Sequence, residues 1–210
     1  MAKPDSQTDD KLLRLMLAGD EEALTTLYRR RQGSVYRFAL QMSGSPALAE
    51  DVTQEVFMVL MRDGGNFDPA RGSLNSFLLG VARNHVLRRL ERDRFYVPMD
   101  GDSENEAAAS GFSATSPFMG DGPLDNVSRT EMIESVRKAV LSLPARYREV
   151  VVLCDLQEIS YAEAAGVLGC AVGTVRSRLH RGRALLIEKL RPAREEDSTV
   201  ADVKSARCFA

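Results

Sequence analysis

The stretch ISYAEAAGVLGCAVGTVRSRLHRGRALLIEKL, residues 159–190, leaves little freedom to the chain that carries it. Ser160 and Glu163 stand in the S-x-x-E spacing of a capping box. There the serine and glutamate side chains satisfy each other's backbone N–H groups, which fixes a helix start. Gly169 suits the end of that short helix, because glycine takes the left-handed stop conformation without steric cost. A few residues later Gly173 and Thr174 open a second helix. Two helices joined by a tight glycine-containing turn form the helix-turn-helix pattern.

The second helix is basic out of proportion to the rest. From Thr174 to Arg191 it carries five arginines (176, 178, 181, 183 and 191) and Lys189 against Glu188 alone, in a chain of net charge −2. Val175, Leu179, Leu185 and Leu186 make a core-facing stripe. Ser177, His180 and Arg181 share the other face, with Arg178 beside them. The N-terminal part of such a helix meets base edges in the DNA major groove. Thr174, Arg176, Ser177, Arg178, His180 and Arg181 are therefore candidate DNA contacts. Arginine can donate two parallel hydrogen bonds to a guanine edge, and the remaining cations would meet phosphates. A merely solvated amphipathic helix is the plain alternative. The capping box, glycine turn and Arg/Ser cluster together favour DNA.

Upstream, residues 8–96 read as helices. Apolar residues recur at helical spacing: Leu12, Leu15 and Met16, then Leu24, Leu27 and Tyr28, then Val35, Phe38 and Ala39. Asp20 suits an N-cap. Ser45 caps a helix over 46–62 with Pro46 at its first position, and Gly64 and Gly65 stop it. Val52, Val56, Val59 and Leu60 on that helix point to a core. Asp51, Gln54, Glu55, Met58 and Arg62 form an outer face that is either solvated or, given the adaptable Met58, a docking surface. After a loop over 63–73 comes a helix over 74–92. Its basic end holds Arg83, Arg88, Arg89, Arg92 and Arg94 against Glu91 and Asp93. Asn66, Phe67, Phe77, Asn84 and His85 lie close by in sequence. Flat rings and amides beside a basic helix suit an unstacked base, although Phe67 and Phe77 are read first as core residues.

Composition then changes. Residues 97–127 hold Asp100, Asp102, Glu104, Glu106, Asp121 and Asp125, no Lys or Arg, and scattered Gly, Pro and Ser. Such a segment buries too little apolar surface to offset ordering entropy, so a flexible acidic linker is expected over 97–128. Helices resume near 128, with Met132, Ile133, Val136, Val140 and Leu141 on one side. The run EVVVLCDL is β-branched enough for a strand, but its helical surroundings favour a buried helix. The expected fold is all-α: two small helical domains, 8–96 and 129–192, joined by the linker and followed by a tail over 193–210.

Several function classes drop out. No apolar run is long enough to span a bilayer. The opening MAKPDSQTDDK lacks the apolar core of a signal peptide, so a cytoplasmic location is expected. Cys154, Cys170 and Cys208 match neither a disulfide framework nor a metal site, and read as reduced thiols. His85 and His180 are the only histidines. With no Ser/His/Asp set, paired-histidine motif or phosphate loop, neither an enzyme nor a cofactor is expected.

Taken together, AEDVTQEVFMVLMR (49–62), FLLGVARNHVLRRLER (77–92) and LSLPARYREVVVLCDLQEISYAEAAGVLGCAVGTVRSRLHRGRALL (141–186) resemble the extracytoplasmic-function (ECF) sigma factors, the smallest sigma-70 relatives. The resemblance implies that 8–96 is region two, an all-helical bundle whose helix 46–62 docks on core RNA polymerase through Asp51, Gln54, Glu55 and Met58. It implies that Asn66, Phe67 and Asn84 hold the flipped base of the promoter minus-ten element, with Arg88 and Arg89 on the backbone. Region four, 129–192, would read the minus-thirty-five element through Thr174, Arg176, Ser177, Arg178, His180 and Arg181. The linker would follow a path through the polymerase built for nucleic acid, and a dedicated anti-sigma factor is an implied partner. The chain departs from the family pattern at Met61 and Phe77, where many members have Trp, and at Gly80, often Arg.

Two binding-protein rivals remain. A response-regulator output domain has similar C-terminal helices but needs an upstream α/β domain, which 8–96 does not resemble. A helical adaptor explains the bundle but not two separated basic helices.

Overall fold

The computed structural model describes residues 8–96 and 123–191, and among these every regular element is helical. Helix α1 spans Asp9–Leu17, α2 Glu21–Ser43, α3 Pro46–Asp63 and α4 Leu74–Tyr96. Helix α5 spans Pro123–Leu141, α6 Ala145–Val151, α7 Tyr161–Leu168 and α8 Val172–Leu190. Two short 3-10 turns, Gly64–Asn66 and Pro69–Arg71, join α3 to α4.

The helix starts are set by the residues that sequence singles out. The Asp20 carboxylate accepts from the backbone N–H of Glu22 and Ala23, satisfying two donors that α2 itself cannot. Ser45 accepts from the Leu48 N–H, with Pro46 at the first position of α3. Helix α3 ends at the expected glycines, but not by a left-handed stop. Gly64 stays right-handed (φ −58°) and leads into a 3-10 turn, with Leu13 packed against it.

Helices α1 to α4 close over Leu12, Leu27, Val35, Phe38, Val52, Val56, Leu60, Leu78 and Val86, all buried. Tyr28 is more exposed than its spacing suggests. Its ring meets Phe57 edge-on with centroids 4.7 Å apart, at the margin of this core. Helix α1 is tied to α2 by Asp9, which faces Arg30 at 3.4 Å and Arg31.

The second module is built on α6, and EVVVLCDL is indeed helical. Val150 to Leu153 are buried, and burial in a helical setting outweighs β-branched propensity. The last turn, Val152–Leu156, widens to a π-helix, closed by Gln157 N–H on the Val152 carbonyl at 2.9 Å. Glu158 follows with φ 55°, an uncommon backbone for a residue with a side chain.

Two expectations change. Helix α5 begins at Pro123, not near 128, because proline is favoured at a first helical position. The expected linker of 97–128 therefore overlaps the helix; its residues 97–122, like the tail over 193–210, lie outside the described residues. The apolar side assigned to α5 is also shorter: Met132 and Ile133 are exposed, and Ala139 and Val140 are buried. Among the described residues no helix is long and apolar enough to cross a membrane. The modules touch where α2 meets α5 and the π-turn, and where α4 meets α7.

Candidate nucleic-acid interface

Gly169 adopts φ 63° and ends α7, and Ala171 starts α8 by accepting from the Thr174 and Val175 N–H groups. The turn sets α8 down with Val175, Leu179 and Gly182 buried. Arg176, Ser177, His180 and Arg181 are consequently exposed together, with Thr174 and Arg178 half-buried at the edges. The six expected contacts thus lie on one helix, and four of them form its open face. The Ser177 hydroxyl donates to the Thr174 carbonyl at 3.1 Å, leaving its lone pairs outward.

Helix α8 can approach α6 this closely only because of Gly182. A β-carbon there would stand 2.9 Å from Val151 Cγ2. The approach also brings Tyr147 of α6 to the basic face. The Arg146 guanidinium lies over the Tyr147 ring at 4.7 Å, and Arg181 hydrogen-bonds its hydroxyl, which lowers the phenol's pKa. Arg146 and Tyr147 are additions that sequence reasoning missed; the basic run PARYRE was the available signal.

Arg183 is a correction. Sequence counts it among the cations free to meet phosphate, but it is held in a two-bond fork on Asp155, Nη2 at 2.6 Å and Nε at 3.1 Å. That carboxylate raises its pKa further. The bidentate match of guanidinium to carboxylate explains the preference.

In the first module Asn66 and Asn84 are exposed, as is Arg88. Phe67 is half-buried against Phe77 with ring centroids 5.7 Å apart, so it is partly a core residue. On α3, Asp51, Gln54 and Met58 face outward, Glu55 is half-buried, and Met61 adds to the same exposed side. Arg89 sits 4.0 Å from Asp51, bringing together one residue from each of the two expected surfaces of this module. The other basic residue of α4 at its centre, Arg83, is not free: it pairs with buried Glu149 of α6 at 3.1 Å.

Glu163 does more than cap its own helix. It receives the Ser160 hydroxyl at 2.8 Å, and its other oxygen receives Ser73 at 2.6 Å and Ser76 at 2.9 Å, both at the start of α4. These bonds, Ser73 foremost, hold its pKa down to about 2 against an ordinary value near 4.5. Gln157 bonds Ser34 at 3.1 Å and Gln41 at 3.0 Å on α2.

The thiols contribute nothing evident here. Cys154 and Cys170 are half-buried and unpaired, and burial together with Asp155 pushes the Cys154 pKa up to about 11. Cys208 lies outside the described residues. Among the described residues no group of His, Cys, Asp and Glu could hold a metal.

Known proteins share both halves of this arrangement. Sigma-70 region 2 matches residues 27–95, and sigma-70 region 4 matches residues 133–186. The chain is 30% identical over 183 residues to the ECF RNA polymerase sigma factor SigW of Bacillus subtilis, spanning 86% of this chain and 96% of that protein. It is 30% identical over 185 residues to the ECF RNA polymerase sigma factor SigM of Mycobacterium tuberculosis, spanning 88% and 85%. Among solved structures, CnrH in complex with the cytosolic domain of CnrY shares the fold: TM-score 0.62, 24% identity, 87% of this chain and 96% of that one. The sigma factor RpoE of Bartonella quintana, crystallised with the anti-sigma factor NepR, gives TM-score 0.59 at 26% identity, over 78% and 93%. The chain belongs to the ECF RNA polymerase sigma factors, the subunits that bind core RNA polymerase and direct it to start transcription at chosen promoters.

Proposed function

We propose that this sigma factor divides its work between the modules as follows. Residues 8–96 bind core polymerase and the minus-ten element, and residues 129–192 read the minus-thirty-five element. The observation that carries this is the open face of α8: Arg176, Ser177, His180 and Arg181 exposed together above buried Val175 and Leu179. Arginine forks there supply base discrimination, and Arg146 extends the positive surface for phosphate contact.

In the first module, Asp51, Gln54, Glu55 and Met58 form the polymerase-docking face of α3. Asn66, Phe67 and Asn84 receive an unstacked minus-ten base, with Arg88 and Arg89 on the strand's phosphates. Half-buried Phe67 keeps one ring face backed by Phe77, which suits a stacking platform. The acidic segment between the modules spans the polymerase. No catalytic group or cofactor belongs to this reading, and the protein acts in the cytoplasm, where its polymerase is.

An anti-sigma factor is the proposed regulator. The RpoE of Bartonella quintana, with a similar fold, was crystallised with one. The test is run-off transcription with core polymerase on a promoter library. Promoter-specific starts that appear only when the chain is added are expected, and that selectivity should be lost with Arg176→Ala. Specific shifting of duplex DNA by the chain alone, without transcription, would favour the response-regulator rival instead.

A further inference from the structure

Tyr147 of α6 is only 8% exposed, too little for its ring to lie on DNA, yet it meets α8 beside an arginine of the open face. Its place is fixed from three sides. Its N–H bonds the Pro144 carbonyl at 2.9 Å, which sets it in the first turn of α6. Gly182 brings α8 across it, so closely that a β-carbon on the glycine would stand 3.5 Å from Tyr147 Cβ. The Arg146 guanidinium lies over its ring, 4.7 Å from the centroid. A buried phenol needs a hydrogen-bond partner, and this one accepts from Arg181, the residue before Gly182.

Arg181 and Arg183 lie two residues apart on α8 and are held by opposite kinds of partner. Asp155 takes Arg183 in a two-bond fork, with Nη2 at 2.6 Å and Nε at 3.1 Å, and offsets its charge. That arrangement withdraws an arginine from DNA. The Tyr147 hydroxyl is neutral and offers a single oxygen. It engages the Arg181 guanidinium without cancelling its charge, and a guanidinium has N–H donors to spare, so an edge remains for a base. An arginine bound to nothing gives up much rotamer freedom when it meets DNA. One already held loses less and arrives aimed. Arg176, exposed on the same face, has no hydrogen bond or ion pair of its side chain among the described residues.

We propose that Tyr147 is a positioning residue for promoter readout: without touching DNA, it holds the Arg181 guanidinium so that its free edge meets one base of the minus-thirty-five element, and thereby sharpens selection at that base. The inference rests on the reading of α8 given above.

The test is competitive promoter binding by the assembled polymerase, full chain plus core, against a library varied through the minus-thirty-five element. Tyr147→Phe keeps the ring, its packing on Gly182 and the Arg146 stack, and removes only the hydroxyl. Arg181→Ala identifies the base position that Arg181 reads. At that position Tyr147→Phe should lower the preference for the favoured base several-fold. Affinity for a scrambled element, and preferences at the other positions, should stay as in wild type. In the Arg181→Ala background Tyr147→Phe should add nothing, and in the Arg176→Ala background it should act as fully as in wild type. A uniform loss across all sequences, equal with and without Arg181, would give Tyr147 a packing role and overturn the proposal. Unchanged preferences in Tyr147→Phe would overturn it too. If Arg176→Ala flattens one position and Arg181→Ala flattens none, the proposal alone falls. A wild type with no base preference anywhere in the element would overturn the reading of α8, and the proposal with it.

Discussion

Gly182 of α8 lies against Val151 of α6 so closely that a β-carbon on the glycine would come within 2.9 Å of Val151 Cγ2. Both residues are buried, and the neighbouring side is the Tyr147 backbone and Cβ at 3.5 Å, so nothing soft can yield. Gly182→Ala should destabilise the second module by about 1–3 kcal/mol, the usual range for overpacking. Urea denaturation checks this, and an unchanged midpoint would contradict the tight crossing of α6 and α8.

Gly80, also in mid-helix, should respond in the opposite direction. A β-carbon there meets nothing within 4 Å. Gly80→Ala should stabilise α4 by about 0.5–1 kcal/mol, because glycine costs that much in a helix interior. Gly80→Arg should be tolerated and tighten promoter binding, which filter binding with the assembled polymerase would measure.

The Glu163 carboxyl has a folded pKa of about 2 against about 4.5 when free. A depressed carboxylate pKa contributes stability in full above the free value, and that contribution fades as pH falls through the folded value. Between pH 4.5 and 2, wild type should therefore lose thermal stability faster than Glu163→Gln. Parallel melting curves for the two proteins across that window would refute this.

Glu149 is buried and Arg83 is its ion-pair partner in the other module. Removing Arg83 alone strands a desolvated carboxylate. Arg83→Ala should cost roughly 2–3 kcal/mol, at or below the low end for dry pairs because the guanidinium is partly wet. Arg83→Met with Glu149→Leu should cost distinctly less. A double-mutant cycle by chemical denaturation separates the two results.

On α8, neighbouring arginines should behave differently. Arg176→Ala should weaken binding to the minus-thirty-five element by about 1–3 kcal/mol. Arg183→Ala should leave promoter affinity nearly unchanged, since its guanidinium is committed to Asp155. Its cost to stability should stay within about 1 kcal/mol, as for other exposed pairs. Promoter binding at two salt concentrations, with melting curves, distinguishes them.

Features fixed by neighbours along the chain were legible. The caps at Asp20, Ser45 and Ser160 act on backbone groups two or three residues away. The buried stripe of α8 follows from helical period alone. The early start of α5 is marked in the sequence by Pro123, within an acidic composition that by itself reads as linker. The contact between the modules was not legible, because it joins residues 34 and 41 to 157, 73 and 76 to 163, and 83 to 149. No periodicity links polar residues that far apart. Glu149 shows why: within RYREVVV it reads as a surface charge, and only the approach of α4 buries it. Arg183 misled for the same reason, its partner lying on the π-turn.

Val175 and Leu179, sunk into the second module, clock α8 about its axis. One residue inserted between Leu179 and His180 would rotate everything downstream by about 100°, carrying Arg181 off the open face and a leucine toward it. Spacing in this helix is therefore under stricter constraint than spelling: side chains on the open face can be exchanged without disturbing the packing beneath, but the count between the anchors and that face cannot drift.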